Sequence, residues 1–524
     1  MTAPGSSTAT PTWIQEYDVI VAGSGAGGVC GAYTAAREGL SVLMVEASDK
    51  YGGTTSYSGG GGVWFPCNPV LQREGVEDSL DDALTYYHSV VGDRTPMELQ
   101  ETYVRGGTDL IEYLEKDDKL KFAAMPWPDY FGKAPKAKTD GMRHIAPRPL
   151  GVAKAPAYKD LVRGPLDVER HGSETPDNYY IGGRALIARF LNAIDDYPNA
   201  TKMLNTPLVD LVVEDGVVTG AIVEIDGKRE AIRARCGVVL AAGGFEANDE
   251  LRATYGVPGT ARDTMGPNTN QGLSHLAGIA AGADTDLMEQ AWWSPGLTHP
   301  DGRSAFALWF TGGIFVNQDG ERFVNESAPY DRLGREVLRQ MDAGTASLPF
   351  WMIYDDTEGE QPPVKAANFE FYPTQDYRDK GLWHTADTLE ELATKIGVPA
   401  EALTATVARF NEHVEAGVDP DFGRGDEAYD RAFSGGKPPL AAIKTGPFHA
   451  AAFGLSDLGT KGGLKTGVAG NVLRADGSTI DGLYAAGNTM AAPSGYAYPG
   501  GGNPIGTSML FSHLAVRDIV ARGK

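Results

Sequence analysis

The chain has 524 residues, 42% of them hydrophobic and 22% charged, which is ordinary for a globular protein and long enough for two domains. A formal net charge of −23 argues against nucleic acid and anionic membrane surfaces as partners, and no apolar run is long enough to read as a membrane span. Three cysteines and nine histidines fit neither a disulfide framework nor a zinc site, so no catalytic metal is expected.

The N-terminal MTAPGSSTATPTWIQEY is polar, lacks a basic-then-apolar leader pattern, and reads as a short tail on a cytoplasmic protein. The segment YDVIVAGSGAGGVCGAYTAAREGLSVLMVEA follows as a buried strand, a glycine turn, a helix with small residues on one face, and a second strand ending at Glu46. Gly23, Gly25 and Gly28 fill the G-x-G-x-x-G spacing of a dinucleotide-binding βαβ unit. The first glycine permits the tight turn, the second lets a pyrophosphate reach the backbone, and the third packs helix on strand. The helix N-terminus offers its positive end to the phosphates, and Glu46 is placed for the ribose hydroxyls.

Residues 132–178, rich in Pro, Gly and Lys, read as a long loop or lid. PLVDLVVEDGVVTGAIVE (207–224) alternates around Asp215-Gly216 and predicts a hairpin. The strands in CGVVLAAGGFEAN (236–248) and STIDGLYAAGNT (478–489) end alike on small residues, Ala242-Gly243 and Gly487-Asn488. Between them, residues 285–455 carry Trp292, Trp293, Trp309 and a helical stretch near 387–416, and look like a separate lobe. The expected fold is α/β: a Rossmann-like nucleotide domain assembled from residues 1–287 and 456–524, around an inserted α+β catalytic domain at 288–455.

GSGAGG, Glu46, KYGGTTSYSGGGG (50–62), VVLAAGGF and GLYAAGN together resemble the FAD-binding signature of the fumarate reductase and succinate dehydrogenase flavoproteins. Within that superfamily, PWPDYFGK, GGRALIARF, GERFVNESAPYD, LSDLGTKGGL and YPGGGNPIGTSM resemble the 3-ketosteroid Δ1-dehydrogenases, over nearly the whole chain. The resemblance implies FAD as the cofactor of the glycine loop. Its implied contacts are Gly23, Ser24, Gly25, Ala26, Gly27 and Gly28, then Glu46, Ala47, Gly53, Thr54, Thr55, Ser58, Gly59 and Gly60. Ala242, Gly243, Gly487 and Asn488 join them, with Asn503, Pro504 and Ile505 against the isoalloxazine and a helix starting near Gly506. Covalent members carry a histidine where this chain has Gly53-Thr54-Thr55, so non-covalent FAD is expected.

Departures from the dicarboxylate enzymes point to an uncharged substrate. Their histidine motif falls on Leu458-Gly459-Thr460-Lys461-Gly462-Gly463, one arginine on the stretch Tyr498-Pro499-Gly500-Gly501-Gly502-Asn503, and their proton-delivering arginine on Tyr330. For a 3-ketosteroid, the resemblance implies that Tyr498 and the Gly502 N–H polarise the ketone. Tyr330 then takes the C2 proton with help from Tyr130, and hydride leaves C1 for the flavin in a trans-diaxial sense. Trp127 and Phe306 match aromatic pocket positions, and an external acceptor must reoxidise the flavin. Desaturation at C4–C5, a fumarate-type reductase and a non-catalytic flavoprotein are the competing readings.

Overall fold

The structure is a computed structural model that describes residues 12–166, 169, 178–367 and 370–523. Val19, Ile20, Val21 and Ala22 are enclosed on both faces of the strand Trp13–Ala22, which suits the interior of a parallel sheet. Its neighbours are Val42–Val45 on one side and Lys228–Leu240 on the other, both parallel to it. Ala200–Met203 lies beyond the first and Thr479–Ala485 beyond the second. The chain leaves Trp13–Ala22 to one side and returns later on the other, which makes the end of this strand a topological switch point.

Register makes that point useful. Ala22 stands opposite Val45 and Leu240, and Leu240 opposite Ala485. Gly23, Glu46, Ala241 and Ala486 therefore leave the sheet at one level, and the loops they begin open onto one crevice. The strands Leu208–Glu214 and Val217–Ile225 form the hairpin expected around Asp215-Gly216, paired through Val217–Ile225 to Lys228–Leu240.

The polar N-terminus is shorter than its composition suggests, because Trp13 already pairs with Ala231. Its ring lies over Gly220, where a Cβ would come within 2.7 Å of it.

A second, antiparallel sheet is built from residues 291–460, in the order Ile314–Val316, Phe350–Asp355, Phe448–Thr460, Ala291–Thr298, Ser304–Phe310 and Val364–Ala367, with Trp383–Ala386 also paired to Phe448–Thr460. The helices Leu389–Ile396 and Ala400–Ala416 occupy the stretch expected to be helical. Thr388 starts the first by accepting the Glu391 N–H at 3.2 Å.

The segment 132–178 is not loop throughout: His144–Pro147 is a strand between Val63–Trp64 and Phe122–Met125. Beside it the Arg143 guanidinium, 1% exposed, binds Asp78 at 2.6 Å and Asp129 at 2.7 Å. Four residues are too few to show a period amid Pro and Lys, which is why the sequence hid them. Residues 167–168 and 170–177 of that segment lie outside the described residues.

The last helix runs Asn503–Arg522, three residues earlier than expected. Gly502, at φ +81°, makes the turn, and Pro504 sits in the first helical turn, where its missing N–H is not needed. This helix packs against Ala26–Arg37, bringing both ends of the chain to the crevice. Among the described residues, no helix is long and apolar enough to cross a membrane.

Candidate active site

A cavity of about 470 Å³ extends from the glycine loop to a cluster of aromatic side chains between the two sheets. Such a volume is ordinary for a cofactor or ligand pocket. Gly23, Ser24, Gly25, Ala26 and Gly27 form one end of the wall, and a Cβ on Gly25 would meet nothing nearer than 3.6 Å. That backbone is open to the cavity. Gly28 is off the wall, since its Cβ would come 2.0 Å from the Gly23 carbonyl oxygen. It lets the helix close on the loop.

Glu46 and Ala47 reach the same wall, as do Gly53, Thr54, Thr55, Ser58, Gly59 and Gly60. The Glu46 carboxylate accepts from the Ser24 hydroxyl at 2.5 Å, the Ser24 N–H at 3.1 Å and the Ser48 N–H at 2.9 Å, while burial pushes its pKa up. Ala242, Gly243, Gly487, Asn488, Pro504 and Ile505 complete the expected contacts on the wall. Asn503, like Gly28, is off the wall: it is fully buried away from the cavity, and its amide oxygen accepts from the Tyr87 hydroxyl at 3.3 Å. As the first residue of the helix, it points its side chain into the packing beneath the loop.

At the other end Tyr130, Tyr330 and Tyr498 meet. Their ring centroids are 5.4 Å apart for Tyr130 and Tyr498, 5.5 Å for Tyr330 and Tyr498, and 5.6 Å for Tyr130 and Tyr330. The Tyr330 hydroxyl neighbours those of the other two. Burial, the dominant cause, pushes the phenols of Tyr130 and Tyr330 well above their ordinary value and that of Tyr498 to about 12. The Gly502 N–H donates to the Tyr498 oxygen at 3.4 Å. Phe306 stands edge-on to Tyr330 at 5.1 Å, and Trp127 is 5.3 Å from Trp309. Among the described residues, neither lysine nor arginine lines this cavity.

Comparison with known proteins agrees with this geometry. Residues 18–505 match the family described as FAD binding domain. A 3-oxosteroid 1-dehydrogenase of Mycolicibacterium smegmatis is 38% identical, with 97% of this chain and 98% of the relative covered. The chain belongs to the 3-oxosteroid 1-dehydrogenase family. A crystal structure of 3-ketosteroid Δ1-dehydrogenase from Sterolibacterium denitrificans, in complex with 1,4-androstadiene-3,17-dione, superposes with a TM-score of 0.86 at 31% identity, covering 97% of this chain and 100% of that one. A 4-oxocyclohexanecarboxylate 2-dehydrogenase of Sinomonas cyclohexanicum is 33% identical, with 97% and 93% covered.

As a member of this family the chain is an FAD-dependent oxidoreductase, and its wall fits that cofactor. The bare Gly25 backbone provides a cradle for phosphates, and the Ser274 hydroxyl and His275 Nδ1 are buried on the wall without a hydrogen-bond partner. Both belong to the helix Leu273–Ala280, whose cap is Gly272 at φ +77°. The His275 Nε2 faces the carbonyls of Gly462 at 3.2 Å and Asn488 at 3.1 Å, and burial pushes its pKa down to about 4. Sequence reasoning missed this helix start, although the turn-rich NTNQG before it marks a helix N-terminus.

Trp292 was also missed as a site residue. Its indole donates to the Asn488 side chain at 3.0 Å, and its ring is edge-on to Tyr498 at 5.0 Å. Lys461, in the stretch aligned with the dicarboxylate histidine motif, turns away from the cavity. It is fully buried, donates to the carbonyls of Ala497 at 3.0 Å and Tyr496 at 3.2 Å, and sits 3.8 Å over the Trp292 ring. It thus fastens the strand of chain that presents Tyr498, while the Tyr496 ring is exposed beneath the Arg94 guanidinium. Among the described residues, one histidine-carboxylate group close enough to hold a metal, His413 with Asp419 and Asp421, lies off this wall, with Asp419 already paired to Arg322 at 2.9 Å.

Proposed function

We propose that the chain introduces a double bond between C1 and C2 of 3-ketosteroids, with FAD held non-covalently. The observation that carries this reading is the meeting of Tyr130, Tyr330 and Tyr498 on a wall with no cationic side chain among the described residues. A flat, neutral ketone suits such a wall. The carboxylate of a 4-oxocyclohexanecarboxylate would have no cation to pair with, which argues against that substrate here.

In this reading Tyr498 and the Gly502 N–H, which lie 3.4 Å apart, both donate to the ketone oxygen and hold the charge that develops on it as the C2–H bond breaks. Tyr330 receives the C2 proton on its oxygen. Because burial keeps its phenol protonated at neutral pH, its own proton must first leave for solvent, and Tyr130, itself protonated, relays it by passing on one proton as it accepts another. The chemistry FAD supplies when bound is acceptance of hydride from C1. Thr54, Thr55 and the glycine loop hold that group. An external acceptor restores its oxidised form, and the protein works in the cytoplasm.

The same reading divides the chain into nucleotide-binding segments 1–287 and 456–524 around a substrate domain at 288–455. Membership of the two sheets supports the division, with strand Phe448–Thr460 moving the second boundary to about residue 460. The test is a product analysis: the purified yellow protein, a dye acceptor, and androstenedione beside a 5α-saturated 3-ketosteroid. Androstadienedione with a new C1–C2 double bond is expected. A double bond formed only at C4–C5 would replace this reading with the Δ4 alternative.

A further inference from the structure

The three tyrosines come from remote parts of the chain, so something must set their spacing. Tyr130 is held at both ends of its backbone. Its N–H donates to the carbonyl oxygen of Pro499, the residue after Tyr498, at 3.0 Å. Its own carbonyl accepts from Arg332 Nη1 at 2.8 Å, and Arg332 lies two residues after Tyr330 in the first turn of the helix Tyr330–Asp342.

Arg332 is itself locked. Both of its terminal nitrogens bond the Glu427 carboxylate at 3.0 Å, and its guanidinium lies 5.0 Å from the Phe131 ring centre. Glu427 also accepts the Gly132 N–H at 2.6 Å, and two residues on, Tyr429 packs edge-on against Tyr130 at 5.0 Å. Neither Arg332 nor Glu427 lines the cavity.

We propose that Arg332, locked by Glu427, is a positioning residue that fixes the reach between Tyr130 and Tyr330 and so governs proton removal without touching the steroid. The inference rests on the reading of Tyr330 as the group that takes the C2 proton. A planar guanidinium can serve a carboxylate and a carbonyl together, whereas a lysine ammonium could hold the carbonyl only as a point charge. A displacement of about 1 Å between reacting groups lowers a rate by roughly 100-fold.

The test compares Arg332→Met, Arg332→Lys, Glu427→Gln and Tyr330→Phe as holoenzymes, reading kcat, steroid KM and bound FAD. Arg332→Met is expected to lower kcat by roughly 100-fold with KM within about twofold and FAD retained, and Arg332→Lys to recover about tenfold of that loss. Should Arg332→Met fail to fold, Glu427→Gln carries the test, with kcat down about tenfold and KM unchanged. Wild-type kcat in the variant that folds would overturn the proposal, as would a loss of kcat that merely follows lost FAD or a rise in KM. Tyr330→Phe separates the two claims. If it is inactive while Arg332→Met runs at the wild-type rate, the clamp alone falls; if Tyr330→Phe is fully active, the reading beneath it falls as well.

Discussion

The backbone nitrogen of Gly502 lies 3.4 Å from the hydroxyl oxygen of Tyr498 and donates to it. The two groups thus touch, and in the proposed reaction both donate to the ketone oxygen. The loop can bring them together because residue 502 has φ +81° and no side chain; a Cβ there would lie 1.8 Å from the Gly62 carbonyl oxygen.

Substitution in this loop separates backbone strain from positioning. Gly502→Ala is expected to lower the melting temperature and to reduce kcat by about 100-fold or more, because strain and displacement of the backbone donor act together. Gly501→Ala is milder: its Cβ would stand 3.1 Å from the Tyr130 oxygen and 3.2 Å from Trp127 Nε1, so both rings must shift by tenths of an ångström. An unchanged melting temperature with kcat down about tenfold is expected. Thermal melts and steady-state kinetics on the two variants check both.

The pH dependence follows from the direction of the phenol shifts. A base raised well above the ordinary tyrosine value of about 10 is protonated at neutral pH, so log kcat/KM should climb with a slope near one through pH 6 to 9. Stability runs the opposite way at the alkaline end. Phenols whose folded values are raised contribute stability that is complete below about pH 10 and is lost as pH rises beyond it, when the unfolded chain releases protons first. A kcat/KM flat from pH 6 upward would contradict the tyrosine base.

The glycine loop was legible because its chemistry depends on spacing, and the register of Ala22, Val45 and Leu240 carries that spacing into space. Tyr130, Tyr330 and Tyr498 were found only through motifs, since nothing in composition distinguishes three tyrosines among 22. Orientation was illegible: Asn503 sits among wall residues in sequence yet faces Tyr87. So was strain, as with Trp309, a bulky wall residue at φ +63° that no propensity would place there. The strand His144–Pro147 was hidden because long-range partners, Arg143 with Asp78 and Asp129, hold its surroundings in place.

That buried trio gives a stability prediction. Arg143→Met leaves the Asp78 and Asp129 carboxylates buried without their cation and is expected to destabilise the protein by about 3–5 kcal/mol. Burial already pushes the Asp129 pKa up to about 6, so adding Asp129→Asn should recover part of the loss by removing one stranded charge. Denaturant titrations of the single and double variants measure this. A double variant less stable than Arg143→Met would contradict the assignment.

The central claim, that Tyr330 removes the proton that lets the steroid reduce the bound cofactor, is tested most directly by anaerobic mixing of the yellow Tyr330→Phe protein with androstenedione while the flavin absorbance is followed. The account predicts that FAD stays bound and that bleaching slows by about 1,000-fold relative to the unsubstituted protein. Bleaching of the FAD-loaded variant at the unsubstituted rate would contradict it.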